Sequence, residues 1–145
     1  MTTVKTCAKC KTEKPSEEFV RESRKPDGRG SRCLRCAAAA QKAYHESPAG
    51  REAIKAQRIA RRATLRVLVN SHKDVPCADC GGKFPLICMD FDHLGNEPKE
   101  DEISTMVHRL TSERRILAEI AKCEVVCSNC HRVRTLERGQ HGRAI

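Results

Sequence analysis

Eight of the ten cysteines in this 145-residue chain fall into four Cys-x-x-Cys pairs: Cys7/Cys10, Cys33/Cys36, Cys77/Cys80 and Cys127/Cys130. Two residues between ligands let a tight turn aim both sulfurs at one ion, and four thiolates make a closed tetrahedral zinc site. The pairs group by distance, with 22 residues between Cys10 and Cys33 and 46 between Cys80 and Cys127. Two structural Zn²⁺ ions are therefore predicted, one on each set of four. A redox reading of the pairs lacks the alternating βαβ context in which such motifs act. Cys88 and Cys123 are left over and read as small buried hydrophobes.

Metals are needed here because the chain has little else to build a core with. It contains no Trp, and aromatic residues make up 3% of it. Small domains with thin cores are held by disulfides or metals. No charged leader followed by an apolar stretch opens the sequence, and no long uncharged apolar run follows. Neither secretion nor a membrane span is expected, and the reading is a cytoplasmic protein, in a compartment where cysteine clusters bind metal.

The formal charge is +9, from 28 Lys and Arg against 19 Asp and Glu. A surplus of that size favours a polyanion, which a basic surface collects by counterion release without reading sequence. A nucleic acid is the expected partner. A solvated basic surface is the plainer alternative.

The fold class expected is a small, zinc-stabilised α+β protein. An N-terminal zinc-knuckle module spans 5–44, a basic helical linker 45–75, a second zinc-bearing module 76–138 and a tail 139–145. The two modules share their cysteine pairs but no convincing sequence repeat. Ala37–Ala40 are strong helix formers, and Ser47-Pro48 suits an N-cap followed by the first position of a new helix. Along that helix Arg51, Lys55, Arg58, Arg62 and Arg66 recur on one face, a stripe suited to phosphate contact. Its apolar residues Ile54, Ile59, Leu65 and Leu68 form no clean face, so weak packing is predicted. Lys83–Phe91 reads as a strand, Ile103–Leu110 and the segment from Ser112 as helices, Val125-Val126 as a strand stub and Cys130–Glu137 as the last helix.

The second module also carries residues that zinc does not explain. Asp90-Phe91-Asp92-His93 follows one cysteine pair, and His131 follows Cys130. One zinc closing the module would bring both segments to the same cleft. Phosphodiester hydrolysis needs a neutral histidine to take a proton from water and an oxygen-plus-nitrogen site for a divalent ion.

In this order, Cys-x-x-Cys, Asp-His after a strand, then Cys-x-x-Cys-His opening a helix, residues 77–135 resemble the HNH (ββα-metal) endonucleases. The likeness is to the four-Cys zinc-bearing branch of phages and bacteria, and more distantly to the phage endonuclease VII. Residues 5–44 resemble the Cys-x-x-Cys module that often precedes this nuclease domain.

The resemblance implies a DNA endonuclease with His93 as general base, Asp92 and His131 as ligands of a catalytic Mg²⁺ or Mn²⁺, and Arg134 on phosphate. A phage origin would place it in the host cytoplasm, with packaging or recombination proteins as possible partners. The sequence departs from the family at Lys122, where many members have Asn; Asn96 or Asn129 would then have to supply the missing hydrogen bond. Some relatives place the ligand three residues before the histidine, here Asp90, and strand alternation sets Asp90 and Asp92 on one face. Against the nuclease stand two rivals: a non-catalytic zinc-finger protein that binds nucleic acid, and a protein-interaction module.

Overall fold

The computed structural model describes residues 3–95 and 97–139. Asn96 and the tail from 140 onward lie outside the described residues. The chain divides into two compact units, 1–56 and 57–145. The division falls inside a helix, and not at residue 45 or 75.

In the first unit β1 (Val4–Thr6) pairs antiparallel with β2 (Glu13–Pro15), and β3 (Phe19–Arg21) pairs with β4 (Arg29–Cys33). Helix α1 (Leu34–Glu46) follows directly. Its buried core is Cys7, Phe19 and Cys33, with Cys10 and Cys36 packed against them. One aromatic ring and four thiols cannot offset the chain entropy of so many ordered residues, so this unit depends on what the thiols bind.

A corner at Ser47 separates α1 from α2 (Pro48–Lys73). Proline suits the first helical position, and the Ser47 hydroxyl accepts from the Gly50 N–H at 3.0 Å. A Cβ on Gly50 would lie 1.8 Å from the Tyr44 carbonyl oxygen, so the corner admits only glycine there.

The second unit contains the rest of α2, β5 (Met89–His93), α3 (Ile103–His108), α4 (Glu113–Ile120), β6 (Cys123–Cys127) and α5 (Ser128–Glu137). β5 and β6 are antiparallel, with Asp90 opposite Val126, Asp92 opposite Glu124 and His93 opposite Cys123. Leu65 and Val69 of α2, Ile103, Met106 and Val107 of α3, and Ile116 and Ile120 of α4 form its main core. Cys77, Met89, Val126 and Cys127 form a second.

Several sequence expectations change. The α2 helix packs only near its C-terminal end, through Leu65 and Val69, while Ile59 and Val67 are exposed. Leu65 is fully buried, because α3 and α4 offer the apolar partners that its own sequence pattern does not reveal. The strand expected over Lys83–Phe91 is β5, which starts later and ends later; Pro85 fixes φ at −54° and leads into a 3-10 turn over Leu86–Cys88. The stub at Val125-Val126 is a full five-residue strand. Cys88 and Cys123 are half-buried and unpaired. Among the described residues no helix is long and apolar enough to cross a membrane.

Candidate functional site

The two four-cysteine clusters come first, because each joins stretches of chain far apart in sequence. The sulfurs of Cys7, Cys10, Cys33 and Cys36 lie within 4.8 Å of one another, and so do those of Cys77, Cys80, Cys127 and Cys130. A tetrahedral zinc with bonds of about 2.3 Å requires sulfurs roughly 3.8 Å apart, so both donor sets fit zinc. Backbone amides already serve the sulfurs. The Cys33 N–H donates to Cys7 Sγ at 3.3 Å, and the Cys127 N–H to Cys77 Sγ at 3.2 Å. Amide donors from Cys10 and Cys33 pull the Cys7 thiol down to about 6. Burial opposes the same shift at Cys77, but the amides of Cys80 and Cys127 prevail and bring it to about 6. Cys36 and Cys130 are pushed up to about 12, chiefly by their hydrogen bonds with Cys33 and Cys127 and then by burial. A bound cation is what lets all four ionise together.

The residues that zinc does not need gather along β5 and α5. His131 sits between the two aspartates of β5, its Nδ1 3.2 Å from Asp90 Oδ2 and its Nε2 3.7 Å from Asp92 Oδ1. Strand alternation puts both acids on the side that α5 faces, as the sequence predicts. The two ring nitrogens separate their roles. Ligands of one divalent ion at about 2.1 Å stand roughly 3–4 Å apart, so His131 Nε2 and Asp92 can share an ion while Asp90 steadies the other nitrogen.

Asp92 is buried and already engaged. Arg138 reaches both of its oxygens, at 2.7 and 2.9 Å, and Arg134 reaches Oδ2 at 2.8 Å. Burial pushes its carboxyl up, but the hydrogen bonds from Arg138 and Arg134 outweigh that and hold it below the ordinary range. Among the described residues only the two cysteine sets bring three or more potential ligands within 4.8 Å. Asp90, Asp92 and His131 do not form a third set of that kind.

His93 is held from the opposite direction. Its Nε2 lies 2.8 Å from Oε1 of Glu119, a fully buried side chain of α4. Glu119 also accepts from the Glu100 N–H at 2.9 Å and from Lys122 Nζ at 2.7 Å. Burial raises its pKa, yet Lys122 and His93 bring it down overall, so the carboxylate is charged. An acceptor-only carboxylate accepts a hydrogen bond from Nε2–H, which favours the tautomer whose acceptor nitrogen is Nδ1. His93, Asp90 and His131 line one cleft of about 230 Å³, with Lys73 and Ser104 also at its walls.

The structure places three further residues singled out in the sequence. Arg134, expected on phosphate, donates to Asp79, Asp92 and Glu124 and ties the knuckle, β5 and β6 together. Its guanidinium is committed to those acids. Lys122 itself bridges Glu119 and the Pro98 carbonyl, so it secures the loop after His93. Asn129 is exposed in the first turn of α5. Sequence reasoning does not single out Glu119 or Arg138. A lone glutamate in an amphipathic helix carries no signal except that it occupies a position on the apolar face, between Ile116 and Ile120.

On the stripe of α2, Arg51, Lys55, Arg58 and Arg66 are exposed, while Arg62 Nε donates to the His108 carbonyl at 3.1 Å. Arg51 donates to the Glu46 carbonyl, and Lys55 lies 3.8 Å from Glu52.

Comparison with family models, curated proteins and solved structures returns no match to this chain.

The chain supplies an internal comparison instead. Both zinc units run knuckle, proline, 3-10 turn, strand, returning strand, helix. The Cys7 N–H reaches Thr12 O and the Cys77 N–H reaches Gly82 O; Ala8 reaches Ser31 O and Ala78 reaches Val125 O. Pro15 and Pro85 share backbone angles within a few degrees. Phe19 pairs with Cys33, and Met89 with Cys127. The offset is 70 residues through the first strand and 94 from the third cysteine onward. The second module is thus the first with 24 extra residues, which include α3 and α4. At the places of Asp90, Asp92, His93, His131 and Arg134 the first module has Val20, Glu22, Ser23, Ala37 and Ala40. The same zinc scaffold forms without any of them, so its geometry does not require them.

Proposed function

We propose that the chain is a divalent-metal-dependent endonuclease of the HNH type, hydrolysing DNA phosphodiester bonds. The observation that carries the reading is the cleft itself: His93, oriented by a buried carboxylate, faces the same space as Asp90 and His131, and the sister zinc module lacks all three. Asp92 and His131 would hold Mg²⁺ or Mn²⁺, which when bound neutralises charge on the phosphate and the leaving oxygen. Asp90 keeps the His131 ring turned so that Nε2 points toward Asp92. Glu119 keeps the proton of His93 on Nε2, so Nδ1 takes the proton from the attacking water. Lys73, at the cleft wall, donates to the Met89 carbonyl at 2.6 Å and adds positive charge beside the cleft.

A second reading, a zinc-bearing nucleic-acid binder without chemistry, is favoured by the grip of Arg134 and Arg138 on Asp92. Supercoiled-plasmid cleavage in Mg²⁺ or Mn²⁺, wild type beside His93→Ala, decides between them. Nicked or linear product from the wild type alone supports the nuclease. No cleavage by zinc-loaded wild type in either ion favours the binder.

A further inference from the structure

Apart from the cleft residues and the 24-residue insertion, the two zinc modules differ at the outer face of the helix that starts after the third cysteine and carries the fourth. In the second module this face is closed. Arg134 of α5 lies across it and bonds Asp79 of the knuckle, Asp92 of β5 and Glu124 of β6. The corresponding positions in the first module are Ala40, Lys9, Glu22 and Gly30. The arginine is gone and its first acid has become a lysine. The third acid is replaced by Gly30, where a Cβ would crowd Val20 Cγ2 at 2.5 Å.

What remains there is an open groove of about 400 Å³ lined by Lys9, Arg32, Cys36, Ala39, Ala40 and Ala43. The alanines of α1 give it short apolar walls. Lys9 and Arg32 are exposed on its rim. The module's ion pairs among the described residues are Lys5–Asp27, Lys14–Glu18 and Lys42–Glu46, which leave both rim cations free. Residues 1–46 carry eleven Lys and Arg against six Asp and Glu, a surplus of five.

We propose that this groove is a DNA-binding site in which Lys9 and Arg32 take phosphates of the backbone and the alanine wall of α1 lies against the sugar edge. The chemistry favours that occupant: a sugar-phosphate ridge presents regularly spaced anions beside an apolar edge, and small side chains let it approach closely. The first module then serves as the grip, on the same scaffold from which the second builds its cleft. The proposal shares with the nuclease reading only its polyanionic partner.

The test is fluorescence anisotropy of a labelled 20-base-pair duplex with the full chain, zinc-loaded, at several salt concentrations and without added divalent ion. Lys9→Glu/Arg32→Glu should weaken binding about tenfold or more and flatten the slope of log K against log salt by roughly two, about 0.9 for each phosphate that is no longer neutralised. Lys9→Asp/Ala40→Arg is a second variant, which rebuilds the acid–arginine pair the sister module folds with and so closes the groove on a scaffold that already accepts it. It should lose affinity to a similar degree while retaining two zinc equivalents. Unchanged affinity and salt slope in either zinc-loaded variant overturns the proposal. An acidic peptide that binds this groove in preference to the duplex overturns it too. The two readings fail separately. Duplex binding that depends on the groove, without cleavage, removes the nuclease alone; cleavage with groove-independent binding removes the grip alone.

Discussion

Glu119 and His93 are 26 residues apart in sequence, and a fully buried carboxylate oxygen of one lies 2.8 Å from the ring nitrogen of the other. Such a carboxylate fixes both the tautomer and the rotation of an imidazole. Replacing it with a neutral isostere leaves the shape and removes the charge that favours one proton position. Glu119→Gln should lower plasmid cleavage by about 10²-fold or more with DNA affinity little changed. Equal cleavage by Glu119→Gln and wild type would remove Glu119 from the mechanism. Glu119→Ala goes further, because it leaves the Glu100 amide without its acceptor and Lys122 with the Pro98 carbonyl alone; it should cost about 3 kcal/mol or more in denaturant unfolding.

The same carboxylate makes a pH prediction. Its ordinary value is 4.5, and in the folded chain it is lowered by Lys122 and His93 against the opposing effect of burial. A group whose folded pKa is depressed contributes stability above its unfolded value, and that contribution is lost as pH falls through the folded one. The stability gap between wild type and Glu119→Gln should therefore be full at neutral pH and shrink below about 4.5. The two proteins are compared at pH values where each retains both zinc equivalents, because loss of the ions unfolds the units. Melting temperatures that run parallel across that whole range as pH falls would contradict the assignment.

What the sequence disclosed and what it hid follow one physical line. Ligand spacing, proline and helix-cap positions act over a few residues, so the two cysteine sets, the Ser47-Pro48 corner and the shared face of Asp90 and Asp92 are all legible. Leu65, Glu119 and Arg138 take their meaning from partners that only folding brings near. Leu65 reads as a stray apolar residue on a basic helix until α3 and α4 cover it. The kinship of the modules is hidden because 24 inserted residues change the offset midway, and because Phe19 against Met89 keeps burial without identity.

Each cysteine set should hold one zinc. Protein purified without added zinc should contain about two equivalents by elemental analysis. Removing them with a strong chelator should unfold both units, since Phe19 is the only large side chain in the core of the first among the described residues. Cys33→Ser and Cys127→Ser should each leave one equivalent. Retention of both ions in either variant would show that the sets are not independent sites.

The basic stripe of α2 divides into residues with different work. Arg62 caps the carbonyl of His108 at the end of α3, so Arg62→Ala should cost about 1 kcal/mol of stability whatever it does to binding. Arg58 and Arg66 enter no ion pair among the described residues and are exposed. Arg58→Glu/Arg66→Glu should weaken binding to unrelated duplexes alike and flatten the salt dependence. A variant with an unchanged salt slope would assign these cations to solvent.

The last prediction separates a base from a ligand. His93 is oriented by Glu119 and faces the cleft, whereas His131 and Asp92 approach each other at 3.7 Å across β5 and α5. His93→Ala should lose cleavage by about 10²-fold or more at every concentration of Mg²⁺ or Mn²⁺, because no amount of ion restores a proton acceptor. His131→Ala and Asp92→Ala should also cut poorly, but their deficit should narrow as the ion is raised, since what they lose is affinity for it. Asp92→Ala carries a second signature. It releases Arg138 altogether and leaves Arg134 with Asp79 and Glu124, so it should lower thermal stability where His131→Ala, whose ring is only half-buried, should not. Asp90→Asn tests the remaining aspartate. If Asp90 only steadies the His131 ring, its amide should reduce cleavage modestly, by about tenfold, with the metal dependence shifted little. A metal requirement shifted more by Asp90→Asn than by Asp92→Ala would exchange the two roles and make Asp90 the ligand.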